Sequence, residues 1–133
     1  MKIGCFAFAD QIEAVQRAGY DCIELDLTEI VAMSDDRFAD LRSRVERSPL
    51  GFEVFSGLLP LSVRFHDPDF DEAYWMNHIS VAAQRAAALG AKMIPFGAGK
   101  CRSIPEGCKD VAAAKNHVLR LVQKISDILA GAP

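Results

Sequence analysis

Two stretches of the 133-residue chain carry side chains able to do chemistry. Residues 22–27 read CIELDL. In a strand, successive side chains point to opposite faces, so Ile23, Leu25 and Leu27 share one face while Cys22, Glu24 and Asp26 share the other. Residues 96–107 read FGAGKCRSIPEG and gather Gly97, Gly99, Lys100, Arg102 and Gly107 in one loop. Glycines let backbone N–H groups approach a ligand closely, and a lysine and an arginine supply charge, so the loop is suited to an anion. It is not a nucleotide loop of either common kind. The P-loop requires a glycine where Ile94 stands and Ser or Thr where Cys101 stands, and the dinucleotide pattern fails at Arg102.

Other reactive side chains read as structural. His66 lies among acids in HDPDFDE, as expected of a solvated loop, and His78 and His117 fall within helical patterns. Cys5 and Cys22 sit in short apolar runs, as buried thiols do. Cys101 and Cys108 share a loop without the short spacing of zinc or redox pairs, so four free thiols are expected. Phe6, Phe8 and Phe55 lie near the C-terminal ends of their strands. Core packing is the first expectation for them and an apolar wall for a sugar the second. Tyr74 and Trp75 open a helix, where they cover a site mouth or pack against the preceding loop.

These residues are held by an alternating pattern. Strands are expected at 2–8, 22–27, 51–57 and 91–97, with helices at 9–19, 35–48, 72–89 and 110–130. Asp10 and Glu13 suggest the start of the first helix, and Gly19 and Gly90 stop helices one and three. Phe38, Leu41 and Val45 form one apolar face, and Pro49 ends that helix. A loop covers 58–71. Strand and helix alternating in this way predict an α/β fold with a parallel sheet. In a sheet covered by helices on both sides, both faces should be apolar. Carboxylates on one face of 22–27 fit better inside a barrel, near the mouth at the C-terminal ends of its strands. Asp26 has the competing reading that it already lies in the following loop, and Glu24 that it pairs with an interior cation.

Composition excludes several functions. The chain is 50% hydrophobic and 25% charged with a formal charge of −3, as for one globular domain over residues 1–133. The acidic balance argues against a nucleic-acid face. No apolar run approaches the roughly 18 residues of a membrane span, and the N-terminus lacks a signal-peptide shape, so a cytoplasmic protein is expected.

The stretches MKIG, RAGYDCIELDL and AAALGAKMIPFGAGKCRSIPEG resemble the xylose isomerase-like barrel family of sugar-phosphate isomerases and epimerases. Phe96, Gly97, Gly99, Arg102, Pro105 and Gly107 match a loop found in some members, with Ala98 in place of a serine. The resemblance covers the first half of that barrel and implies a (βα)4 half of a TIM barrel. It implies a sugar or sugar-phosphate substrate, contacted here by Glu24, Ser56, Phe96, Gly97, Gly99 and Arg102. Family members hold a divalent metal (Mn, Mg or Zn) with residues of strands five to eight. The expectation for this chain is therefore no metal site, no catalytic residue that can be named, and no activity alone. The endonuclease branch of the family uses histidines at the ends of strands three and four. Here those strands end in FSG and FGAG, which sets DNA repair aside. A half-barrel leaves strand edges open, so a homodimer is expected, its halves facing each other or exchanging elements. The alternatives are a non-catalytic binding module and a subunit completed by another polypeptide.

Overall fold

The computed structural model describes residues 1–97 and 99–132. Three parallel strands form one open sheet in the order β1 (Gly4–Ala7), β2 (Cys22–Asp26), β3 (Gly51–Ser56). The helices among the described residues are α1 (Ile12–Arg17), α2 (Leu27–Ala32), α3 (Asp35–Arg47), α4 (Glu72–Ala88) and α5 (Val111–Ala130). The α/β class and the parallel sheet are as the sequence predicts. None of the helices is long and apolar enough to cross a membrane.

The helices cover one face of the sheet. Ala7, Ile23, Leu25, Phe52 and Phe55 point into a core closed by Ile12 and Val15 of α1, Leu27 and Ile30 of α2, Leu41 of α3, Ile79 and Ala82 of α4, and Leu121 and Ile125 of α5. Among the described residues, no helix covers the opposite face. Register places Gly4, Cys22 and Gly51 in one row of that face and Phe6, Glu24 and Val54 in the next, across an irregularity of β3 between those rows.

Four expectations need correction. Residues 91–97 do not form a strand but meet β3 at a single bridge, Val54 to Met93. Pro95 has no N–H for a ladder, and the segment has a neighbour on one side only. Residues 27–32 are helical rather than the end of a strand and a loop. The Asp26 side chain accepts from the N–H of Glu29 at 2.9 Å and caps α2, which buries Leu27 and Ile30. Asp10 does not cap the first helix. That helix begins as a 3-10 turn over Ala9–Gln11, and the Gln11 side chain accepts from the N–H of Phe8 at 2.9 Å. Finally, Phe6 and Phe8 are not core residues. They lie on the uncovered face, 49% and 46% exposed, with ring centroids 5.5 Å apart, whereas Phe55 is fully buried.

The remaining boundaries follow capping chemistry. Ser34, Asp71 and Asp110 each accept from a backbone N–H three residues on, at 3.4, 2.9 and 2.9 Å. Gly19 and Gly90 take φ of +82° and +89°, the left-handed conformation that ends a helix. Arg85 of α4 joins distant elements: its guanidinium donates to the carbonyls of Ile30 and Met33, both at 2.7 Å, at the end of α2. Glu72 of α4 receives Arg120 at 2.9 Å and Lys124 at 2.5 Å from α5.

Candidate functional site

The site forms where three segments converge at the C-terminal end of the sheet. β2 supplies Glu24, and β3 ends in Ser56, directly opposite Asp26. The chain then turns at Gly57 with φ of +70°. Only glycine suits this point, because a Cβ there would stand 2.5 Å from an Asp26 carboxylate oxygen. The Thr28 hydroxyl donates to the Gly57 carbonyl at 2.7 Å, which fixes the turn to α2.

Two loops make the rim. Leu58, Leu59, Val63 and Phe65 are buried, so the first loop packs into the core rather than lying in solvent. The Arg64 guanidinium donates back to the carbonyls of Leu61 and Val63 at 2.6 and 2.8 Å. The Phe65 N–H donates to the Cys101 carbonyl at 2.9 Å and ties this loop to the second rim loop, which closes with a 3-10 turn at Gly99–Arg102. Cys101 is buried, and burial pushes its thiol above the ordinary range.

The cleft measures about 590 Å³. Glu24, Ser56, Phe96, Gly97 and Gly99 line it together, although they come from β2, β3 and the second rim loop. Lys100 also lines it. Arg102 does not; its guanidinium lies 5.5 Å from the centre of the Phe96 ring. Ala98 lies outside the described residues.

Glu24 is half-buried, and among the described residues no Lys, Arg or His pairs with it. No carboxylate among them pairs with Lys100. Among the described residues the cleft therefore offers one carboxylate, Glu24, and one cation, Lys100. A Cβ at Gly97 or Gly99 would meet nothing within 4 Å, so these glycines keep the wall open rather than relieve crowding. The Gly99 N–H donates to the Gly97 carbonyl at 2.5 Å and is thereby occupied within the loop. The N-terminus of α5 is filled by the Asp110 carboxylate, and none of that helix lines the cleft. Charge recognition there falls to side chains.

The other candidates are structural. Asp26 is the cap of α2. The His78 Nε2 lies 3.2 Å from the Leu58 carbonyl, and burial pushes its pKa below the ordinary value. The His117 Nε2 lies 3.1 Å from the Phe65 carbonyl. His66 is half-buried instead of solvated, its ring 5.5 Å from that of His117 and its Nε2 enclosed without a hydrogen-bond partner. Trp75 packs on the core edge with its ring 5.3 Å from His78, while Tyr74 is exposed. All four cysteines are free thiols, and the loop residue Cys101 is more buried than Cys5 or Cys22. Lys100, offered only as a charge of the loop, lines the cleft, and Cys22, expected as a buried thiol, is half-buried on the uncovered face. Lys100 stands beside Gly99 in the loop that carries the family-like pattern, which was the available signal.

No family model, no curated protein and no solved structure matches this chain. Among the described residues no group of three or more His, Cys, Asp or Glu side chains could hold a metal ion. The cleft's single carboxylate does not fit a divalent cation of the kind the family resemblance implies.

Proposed function

We propose that the chain is a (βα)4 half-barrel of the xylose isomerase-like kind, and that its cleft binds a sugar or sugar phosphate. The observation that supports this reading is the convergence of Glu24, Ser56, Phe96, Gly97 and Gly99 on one cleft at the C-terminal ends of parallel strands. That is where barrels of this architecture hold their ligands. Glu24 accepts from ligand hydroxyls, Ser56 donates or accepts, and Lys100 faces a phosphate. Arg102, over the Phe96 ring, adds positive potential beside the cleft.

Isomerisation or epimerisation of such a ligand requires proton transfer beside a carbonyl and an electrophile on its oxygen. The described residues of the cleft supply one carboxylate and no metal cluster, so binding without turnover is the function proposed for this chain. Calorimetry with pentose phosphates, the free pentoses and inorganic phosphate tests it. The expected result is binding of the phosphorylated sugar, weakened about tenfold or more in Glu24→Gln and in Lys100→Ala, with inorganic phosphate binding more weakly. No heat with any sugar phosphate at millimolar concentration overturns the reading.

A further inference from the structure

Glu24 carries a charge that its neighbours among the described residues do not answer. It stands in the central strand, with Phe6 of β1 and Val54 of β3 opposite it. Neither of those side chains can donate a hydrogen bond. The next residue on the same face of β2 is Asp26, a second carboxylate, whose Oδ1 already accepts from the N–H of Glu29. Among the described residues no cation pairs with Glu24 and no donor reaches its carboxylate. Much of the surrounding cleft lining is apolar, supplied by Leu58, Leu59, Pro60, Leu61, Pro95 and Phe96. A half-buried carboxylate in such a cleft has given up hydration that a ligand's donor must restore.

We propose that the phosphorylated ligand of this cleft carries a primary amine, its ammonium on Glu24 and its phosphate on Lys100. This rests on the reading of the cleft as a sugar-phosphate site and adds a charge to the sugar. Glu24 and Lys100 line the same cleft of about 590 Å³, yet they form no ion pair with each other. A direct pair between them would leave neither charge for a ligand. Held apart, they present an anion and a cation to one small molecule. The molecule that satisfies both is cationic at one end and anionic at the other.

Two further observations favour an ammonium over a hydroxyl at Glu24. A hydrogen bond between charged partners is roughly twice as strong as a neutral one, so a carboxylate gains more from –NH3+ than from a sugar hydroxyl. Phe6, across the strand from Glu24, is 49% exposed, and both residues line the hollow that adjoins the cleft. The face of an aromatic ring attracts a cation, so an ammonium on Glu24 has a compatible neighbour. Lys2 lines that hollow too, but it precedes Phe6 by four residues, towards the N-terminal end of the sheet, and does not pair with Glu24. The cleft volume lies within the range of small-molecule sites.

Calorimetry with matched ligands tests this on the wild-type chain. Glucosamine 6-phosphate and glucose 6-phosphate differ at one position, an ammonium against a hydroxyl. The amine is expected to bind about tenfold tighter or more, and N-acetylglucosamine 6-phosphate, which has lost the charge, to forfeit that gain. In Glu24→Gln the preference for the amine is expected to vanish. In Lys100→Ala both phosphates should weaken together while the preference stays. The preference is a ratio read within one protein, so a loss of stability in a variant does not imitate it. Glucose 6-phosphate binding as tightly as the amine overturns this inference and leaves the sugar-phosphate reading standing. A preference that survives in Glu24→Gln overturns it as well. Phosphoethanolamine, an ammonium and a phosphate without a sugar, separates the two readings. Its binding, weakened in both variants while no sugar phosphate binds, supports the charge assignment and removes the sugar. No heat from any of these ligands at millimolar concentration overturns both.

Discussion

The Arg85 guanidinium donates to Asp35 Oδ1 at 2.9 Å, yet the two ends of this ion pair are not equivalent. Arg85 is 14% exposed and also holds the Ile30 and Met33 carbonyls, with the Phe38 ring 4.8 Å away, whereas Asp35 is fully exposed. The guanidinium thus closes the C-terminal end of α2, where backbone carbonyls have no helical partner.

Arg85→Ala is therefore expected to cost about 2–3 kcal/mol, since charged hydrogen bonds are lost and carbonyls are left unpaired. Asp35→Ala is expected to change stability far less than Arg85→Ala, as for an exposed partner. Urea unfolding midpoints at constant slope measure both. Equal losses in the two variants would contradict the capping role.

Glu72 is expected to contribute to stability on the acid side. Hydrogen bonds from Arg120 and then Lys124 pull its carboxyl from 4.5 down to about 2. A group with a depressed folded pKa contributes stability above its unfolded value, and that contribution is lost as pH falls through the folded one. Wild-type protein is expected to lose this contribution between pH 4.5 and about 2. Glu72→Gln is expected to show a flatter acid limb, with the two proteins converging near pH 2. Denaturant titrations across that range check it.

His78 is expected to remain neutral below the ordinary histidine range, because burial opposes its protonation more than the Leu58 carbonyl favours it. Its stabilising contribution is present above pH 6.5 and lost as pH falls through the lower folded value. In an NMR titration its ring resonance should have its midpoint below 6.5. A midpoint at or above that value would mean the ring is solvated.

Gly57→Ala combines a left-handed φ with a close approach to the Asp26 carboxylate. A destabilisation of about 1–3 kcal/mol is expected from the backbone alone. Asp26→Ala removes the helix cap and is expected to cost about 1 kcal/mol. The double variant should cost less than the sum, since the clash requires both side chains. Full additivity in denaturant unfolding would show that Gly57 and Asp26 do not interact.

Much of the fold was legible from period and punctuation. The two-residue alternation of 22–27 assigned Ile23 and Leu25 to the core and Glu24 to the other face, and α3, α4 and α5 end within a residue or two of their expected limits. The misses have a common origin. LTEIVA at 27–32 contains β-branched residues and no glycine or proline, so only the Asp26 cap separates it from the strand before it. Its helix depends on a guanidinium from residue 85. The segment at 91–97 reads as a strand, but with Pro95 and one neighbour it holds a single bridge.

The sequence by itself determined which residues share a face, because strand and helix periods are local properties of the backbone. Only the tertiary structure decided what each face meets. It put Phe55 in the core and left Phe6 and Phe8 uncovered, though all three read alike as aromatics at strand ends. It also brought Lys100, rather than Arg102, to the lining of the cleft that holds Glu24. The physical reason is that burial and charge proximity depend on which distant segments pack together, and the rim loop owes its position to a hydrogen bond between Phe65 and Cys101 that no local spacing encodes.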